Sequence, residues 1–276
     1  TLNTPAGIII TNISKDHTRI LGDTIEKITT EKIQVIKKNA KVFLGYQNFP
    51  EVLQLVKQKC DEAEAELISV AETVNIIPAE SDFYQSSFFY QLDNIQEKFT
   101  ISMPGSWQIE NASSAITAVL HLLPDRNIKK IKEGLKKTFW PGRLENIHHQ
   151  PEIFADVSHN PDGLKKTLDF IHQHEEQFEH PIRILFSALE RKDTKEMTEI
   201  LKNSGYPVTI IPIEYEEGMS YKKLLECFHP LPGNWEILEI FQPETFFNRK
   251  NTFFILGSHY LLCETIPLIR AYFQLN

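Results

Sequence analysis

Short runs of apolar residues alternate with longer stretches in which apolar positions recur every three or four residues. "GIIIT" (7–11), "KVFLG" (41–45) and "ELISV" (66–70) have the length and β-branched content of buried strands. Between them, residues 24–37 and the segment "PEVLQLVKQKCDEAEAE" carry helical periodicity. Residues 82–103 are richer in aromatics and predict an antiparallel hairpin from "FFYQLD" and "KFTISM". Helices are expected from near Trp107, capped by Ser106, to about Leu123, and over roughly Arg126–Lys137. At "FWPGRLE" (139–145) the pattern restarts. Strands are expected at "EIFADV" (152–157), "IRILFSA" (182–188), "PVTIIPI" (207–213) and "TFFIL" (252–256), with helices from Pro161, from Lys192, near Tyr221 and from Ser258. Repeated strand–helix units predict an α/β protein with a mostly parallel sheet. The Pro-Gly pair near 141 marks the domain boundary, giving domains 1–140 and 141–276.

One position breaks the pattern. Asp23 and Glu26 read as a capping box, and Ile25, Ile28, Val35 and Ile36 then share a face. At roughly 100° per residue, Lys32 falls within about 20° of the middle of that face. A buried ammonium without a partner is costly. Either Lys32 snorkels past its neighbours or it faces a site.

Composition narrows the classes. The 276 residues suffice for two modest domains, and 41% hydrophobic with 24% charged residues is ordinary globular usage. A net charge of −8 argues against nucleic acid and anionic membrane surfaces as partners, though not against a small anionic ligand. No apolar run reaches membrane-spanning length, and no signal peptide is evident. Cys60, Cys227 and Cys263 lack metal-ligand spacing and read as thiols in a reducing, cytoplasmic setting. Nothing in the sequence calls for an oligomer, so a monomer is expected.

Ligands of parallel α/β sheets sit beyond the carboxyl ends of the strands. Thr11, Asn12, Asp16 and His17 follow the first strand, and His17 could ligate a metal or act as a base. "EIFADV" ends at Asp156 and leads into His159, Asn160 and Pro161, a helix start that offers N–H groups to an anion. Arg143 stands in the apparent hinge and could reach a phosphate. Gln108 and Asn111 share a helical face suited to a flat polar ring, and Ser258 stands at another helix start. Each also has a plain structural reading, as cap, packing residue or surface charge. None of the eleven glycines opens a G-x-x-x-x-G-K-[ST] phosphate loop.

In this order the motifs resemble the folylpolyglutamate synthase/dihydrofolate synthase family of the Mur ligase superfamily. "ITNISKDHTRILGDTIEKITTEKIQVIK" is similar to I-T-N-I-G-x-D-H-x-x-x-L-G-x-T-x-x-x-I-A-x-E-K-A-G-I-I-K. "GSWQIENASSAI", "WPGRLE", "ADVSHNPDGL", "FSALERKD" and "ILGSHYL" resemble that family's later motifs. The resemblance implies the remainder of a Mur-ligase-type central ATP-binding domain followed by a Rossmann-like C-terminal domain. It also implies an ATP- and Mg2+-dependent ligase in which a folate or dihydropteroate carboxylate is phosphorylated and then attacked by the amine of L-glutamate. On that template His17 is a magnesium ligand and Lys32 the lysine that becomes carbamylated. Asn111 lies near the nucleotide base, and Arg143 and Asp156 reach ATP. His159, at the catalytic centre, and Ser258 lie near the incoming glutamate. Domain closure would complete the site. The family's phosphate loop precedes the first strand seen here, so this chain alone is expected to bind ATP weakly and turn over slowly or not at all.

The sequence departs from the family pattern at Ile33-Gln34 (Ala-Gly), Trp107 (His), Val157-Ser158 (Gly-Ala) and Ser187 (Gly). Two rival readings are another Mur-type ligase building a cell-wall peptide and a non-catalytic binding remnant or paralogue. The L-G-x-T…E-K spacing and the absence of D-N-P-R favour the folate branch over the wall ligases.

Overall fold

The computed structural model describes residues 5–15, 18–123, 127–178, 180–189, 194–215, 218–247 and 250–275, with the side chains of Thr18 and Arg19 also outside the description. The chain divides into two compact units, Thr1–Phe139 and Trp140–Asn276. The division falls one residue before the boundary expected from the Pro-Gly pair.

Unit 1 contains β1 (Ile8–Ile10), α1 (Thr18–Leu21), α2 (Ile25–Lys32), β2 (Lys41–Leu44), α3 (Pro50–Glu62), β3 (Glu66–Ser69) and α4 (Val70–Thr73). It continues through β4 (Asn75–Ser81), β5 (Ser86–Leu92), β6 (Ile95–Ile101), α5 (Ser106–Leu122) and α6 (Ile128–Lys136). β1, β2 and β3 form a parallel sheet in that order; β4, β5 and β6 form an antiparallel one. On β5 the alternation is clear: Phe88, Tyr90 and Leu92 pack with Ile109, Ala112 and Ile116 of α5, while Phe89 is exposed.

Four expectations for unit 1 are corrected. The aromatic segment is a three-stranded meander, because β4 pairs along β5 as an edge strand despite Pro78. The N-cap of α2 is Thr24, which accepts from the Lys27 N–H, while Asp23 pairs with Lys27 at 2.8 Å. Gly105, with φ +103°, precedes α5 where Ser106 was expected to cap. Lys32 is exposed rather than buried. The α-helix stops at Lys32 and a 3-10 turn follows over Ile33–Val35. In that tighter winding, residues three apart line up. Ile33 and Ile36 turn into the core, and Val35 is left half-exposed.

Unit 2 contains β7 (Glu145–His149), β8 (Glu152–Asp156), α7 (Pro161–Gln173), β9 (Ile182–Phe186), α8 (Thr194–Ser204), β10 (Val208–Ile210) and α9 (Tyr221–Phe228). β11 (Trp235–Ile237), α10 (Pro243–Phe246), β12 (Thr252–Leu256) and α11 (His259–Tyr272) complete it. Its six-stranded sheet has the order β11-β10-β9-β12-β8-β7, parallel except for β7. β8, β9 and β12 hold consecutive fully buried apolar residues, as expected of strands covered on both faces. Phe154 and Phe254 face each other across β8 and β12 with centroids 5.2 Å apart, and Phe178 packs edge-on to both. The short strands β7 and β11 were not expected. Lys192 and Arg126, expected at helix starts, lie outside the described residues.

Candidate functional site

The order of the unit 2 sheet creates a switch point. From β8 the chain crosses to β9 and moves outward through β10 and β11. It then returns to place β12 between β9 and β8. Ligands of such sheets bind beyond the carboxyl ends at the switch. Asp156, Leu256 and Phe186 are level there, so Ser158-His159, Ser258-His259 and Ser187 leave the edge side by side.

Asp156 organises this edge. It is 4% exposed. Its Oδ1 accepts from the Ser158 N–H at 2.9 Å and sits against the hydroxyls of Ser158 and Thr167. Its Oδ2 accepts from the backbone N–H of Leu144 at 2.9 Å. The last bond fastens the "PGRLE" loop to β8. Two more bonds hold the same loop: Val157 N–H to the Gly142 carbonyl at 2.9 Å, and Gly142 N–H to Glu145 Oε2 at 2.9 Å. Gly142 has φ +69°, and a Cβ there would lie 2.6 Å from Val157 and 2.8 Å from Leu262. At Gly142 the loop therefore lies too close to Val157 and α11 for a side chain. The resemblance implies that Asp156 reaches a nucleotide. In the structure its carboxylate is engaged by four groups of its own unit, so it fixes the loop that carries Arg143.

Arg143 sits between the two fastened residues. It is partly exposed and forms no ion pair or hydrogen bond among the described residues. A guanidinium held on a fixed loop without a counter-charge is suited to an anion such as a phosphate.

The two helix starts are built as the sequence suggests. Asn160 caps α7 by accepting from the Gly163 N–H at 2.8 Å, with Pro161 in the first turn. Ser258 caps α11, accepting from the Tyr260 N–H at 3.2 Å, and is buried. His159 is partly exposed in the turn before α7. Gly257, at φ +118°, is needed because a Cβ would lie 2.1 Å from the Ser187 carbonyl. The Ser187 hydroxyl is buried without a partner among the described residues.

In unit 1 the carboxyl ends of β1 and β2 are tied by Gln47, whose Oε1 accepts from the Ile13 N–H and whose Nε2 donates to the carbonyls of Thr11 and Gly45. Asn12 donates through Nδ2 to the Tyr46 carbonyl, which fixes the amide orientation and leaves its Oδ1 buried and unpartnered. On α5, Asn111 is exposed and donates to the buried Gln108 Oε1 at 3.4 Å, so the two amides share a face and bond to each other. Lys32 is exposed at the end of α2. The position expected to bind magnesium, His17, lies outside the described residues. Among the described residues no group of three or more His, Cys, Asp or Glu could hold a metal. Thr167, Leu144 and Gln47 were missed in the sequence, because their roles depend on partners 11 to 36 residues away.

Comparison with known proteins shows what the chain is similar to. Residues 2–119 match the Mur ligase middle domain. The chain is 28% identical over 238 residues to the dihydrofolate synthase/folylpolyglutamate synthase of Bacillus subtilis, an alignment covering 84% of this chain and 54% of that protein. Its fold is similar to E. coli FolC in complex with ADP, with a TM-score of 0.80 at 19% identity over 98% of this chain and 63% of that one. A folylpolyglutamate synthase solved as an AMPPCP–folate complex gives a TM-score of 0.75 at 22% identity, covering 98% and 62%. The chain thus spans about half the length of the curated relatives it matches. Among its described residues, no helix is long and apolar enough to cross a membrane.

Proposed function

We propose that the chain is the part of an ATP-dependent ligase that joins L-glutamate to the carboxylate of a folate or dihydropteroate. The observation that carries the proposal is Arg143, without an ion pair among the described residues, on a loop that Asp156 and Glu145 hold against β8. Bound ATP supplies the phosphoryl group that activates the substrate carboxylate. Arg143 holds a phosphate, and Asp156 keeps Arg143 in place. The Gln108–Asn111 pair offers amide groups to the base. His159 and Ser258 stand at neighbouring turns on one sheet edge, where an amino acid can be oriented by the α7 and α11 starts.

Lys32 is the proposed carbamylation site. Its exposure and lack of an ion pair among the described residues leave Nζ accessible to CO2. His17 is the proposed magnesium ligand on the family resemblance alone, and no chemical step is assigned to the metal. Three free cysteines, two of them exposed, suit a reducing cytoplasmic setting. The relatives named as dihydrofolate and folylpolyglutamate synthases support the substrate class.

The direct test is mass spectrometry after incubation with ATP, Mg2+, dihydropteroate or a reduced folate, and isotopically labelled L-glutamate. From this chain alone the product, one glutamyl residue heavier, is expected slowly or not at all and only with ATP, so ATP binding, weak but saturable, is the readout the reading requires. An unchanged substrate, with ATP also unbound, overturns the reading.

A further inference from the structure

Unit 2 has a second recess, between α7 and α8, of about 230 Å³. α7 contributes Lys165, Leu168, Asp169 and His172; the end of α8 and the turn after it contribute Ile200, Asn203, Ser204 and Tyr206. α7 starts at the carboxyl edge of the sheet and rises about 1.5 Å per residue, so Asp169 lies roughly 12 Å away along the helix. Tyr206 stands two residues before β10 begins, at the opposite, amino-terminal edge. The recess is therefore separate from the site described above.

Its charges are arranged unusually. Lys165 and Asp169 are one helical turn apart and both exposed, yet neither forms an ion pair among the described residues. On the same helix, Asp162 and Lys166 have the same spacing and close at 2.9 Å. Direction explains the difference. Helical side chains lean toward the N-terminus, and an acid preceding its base by four residues pairs better than the reverse. Lys165 precedes Asp169, so the two charges stay apart, one positive and one negative, on the rim. Leu168 lies buried between them in sequence, and Ile200 adds apolar surface from α8. Tyr206 is held by its hydroxyl, which donates to Glu175 Oε2 at 2.8 Å.

We propose that this recess binds a free, neutral-side-chain α-amino acid as its zwitterion. The carboxylate meets Lys165, the ammonium meets Asp169, and the side chain lies over Leu168 and Ile200. The volume is that of about eight liquid waters, room for a molecule on the order of nine heavy atoms. The side chain meets the apolar part of the lining, Leu168 and Ile200, while the polar His172, Asn203 and Ser204 complete the recess; an apolar side chain loses less on that floor than a second carboxylate would.

The probe is L-leucine, titrated into the intact chain and followed by ligand-observed NMR. Saturable binding is expected with a Kd of about 1 mM. Lys165→Ala and Asp169→Ala should each weaken it at least tenfold without moving the urea midpoint. The amine 3-methylbutylamine and the acid 4-methylpentanoate, each lacking one charge, should also bind at least tenfold more weakly. Absence of saturable binding, or binding unchanged in both variants, overturns the proposal; the second result would place the amino acid elsewhere on the protein.

Discussion

Leu144 donates its backbone N–H to Asp156 Oδ2 at 2.9 Å while holding φ at +46°. A branched residue rarely adopts that backbone conformation. Here the carboxylate and the burial of the Leu144 side chain together compensate for it. The consequence is a fixed position for the neighbouring Arg143. Asp156→Ala leaves Leu144, Ser158 and Thr167 without their shared acceptor. It should cost about 3 kcal/mol in urea unfolding and also weaken nucleotide binding. An Asp156→Ala protein as stable as the parent would show that the loop is held by other contacts.

Gly257 separates β12 from the Ser258 cap. Gly257→Ala places a methyl group 2.1 Å from the Ser187 carbonyl at a backbone φ of +118°. Backbone must move, so we expect a loss of more than about 3 kcal/mol, read by thermal or urea unfolding. Gly205→Ala is the control: it shares a positive φ but has open space, and should lose only about 1 kcal/mol.

Tyr90 gives the account a pH dependence. It is fully buried, its hydroxyl lies 2.9 Å from that of Thr117, and burial pushes its pKa from 10.0 up to about 12. The folded value is the higher one. The stabilisation is therefore complete below pH 10 and lost as pH rises toward 12, because the unfolded phenol ionises first. The loss is on the order of 2 kcal/mol. Urea midpoints measured across that range should fall more steeply for the parent than for Tyr90→Phe. Parallel curves would contradict the assignment.

Lys32 is exposed, so Lys32→Ala should change stability by less than about 0.5 kcal/mol. Intact mass under native, bicarbonate-buffered conditions should show a CO2 adduct on the parent that is absent from the variant. A parent without the adduct removes the carbamylation proposal and leaves an ordinary surface lysine.

Much of this was legible in the sequence, for definite reasons. The central strands of unit 2 are short apolar runs ending in turn residues, and Asn160-Pro161 announces α7 by cap chemistry. β4 was not legible: Asn75–Ser81 is largely exposed and contains a proline, so it carries no alternation to read. Lys32 misled because a single helical period was carried across Lys32 into a 3-10 turn. The Asp156 latch was hidden because its partner, Leu144, is a non-glycine residue with positive φ twelve positions away. The candidate residues Arg143, His159 and Ser258 were visible as types at the ends of strands, but their burial and partners required the fold.

The most direct test of the account is calorimetric titration of ADP with Mg2+ into the parent chain, Arg143→Ala and Arg143→Lys. The account predicts saturable binding to the parent, at least tenfold weaker binding to Arg143→Ala, and an intermediate value for Arg143→Lys, with unfolding midpoints unchanged. Binding of equal strength in all three proteins, or no binding to the parent, would contradict it.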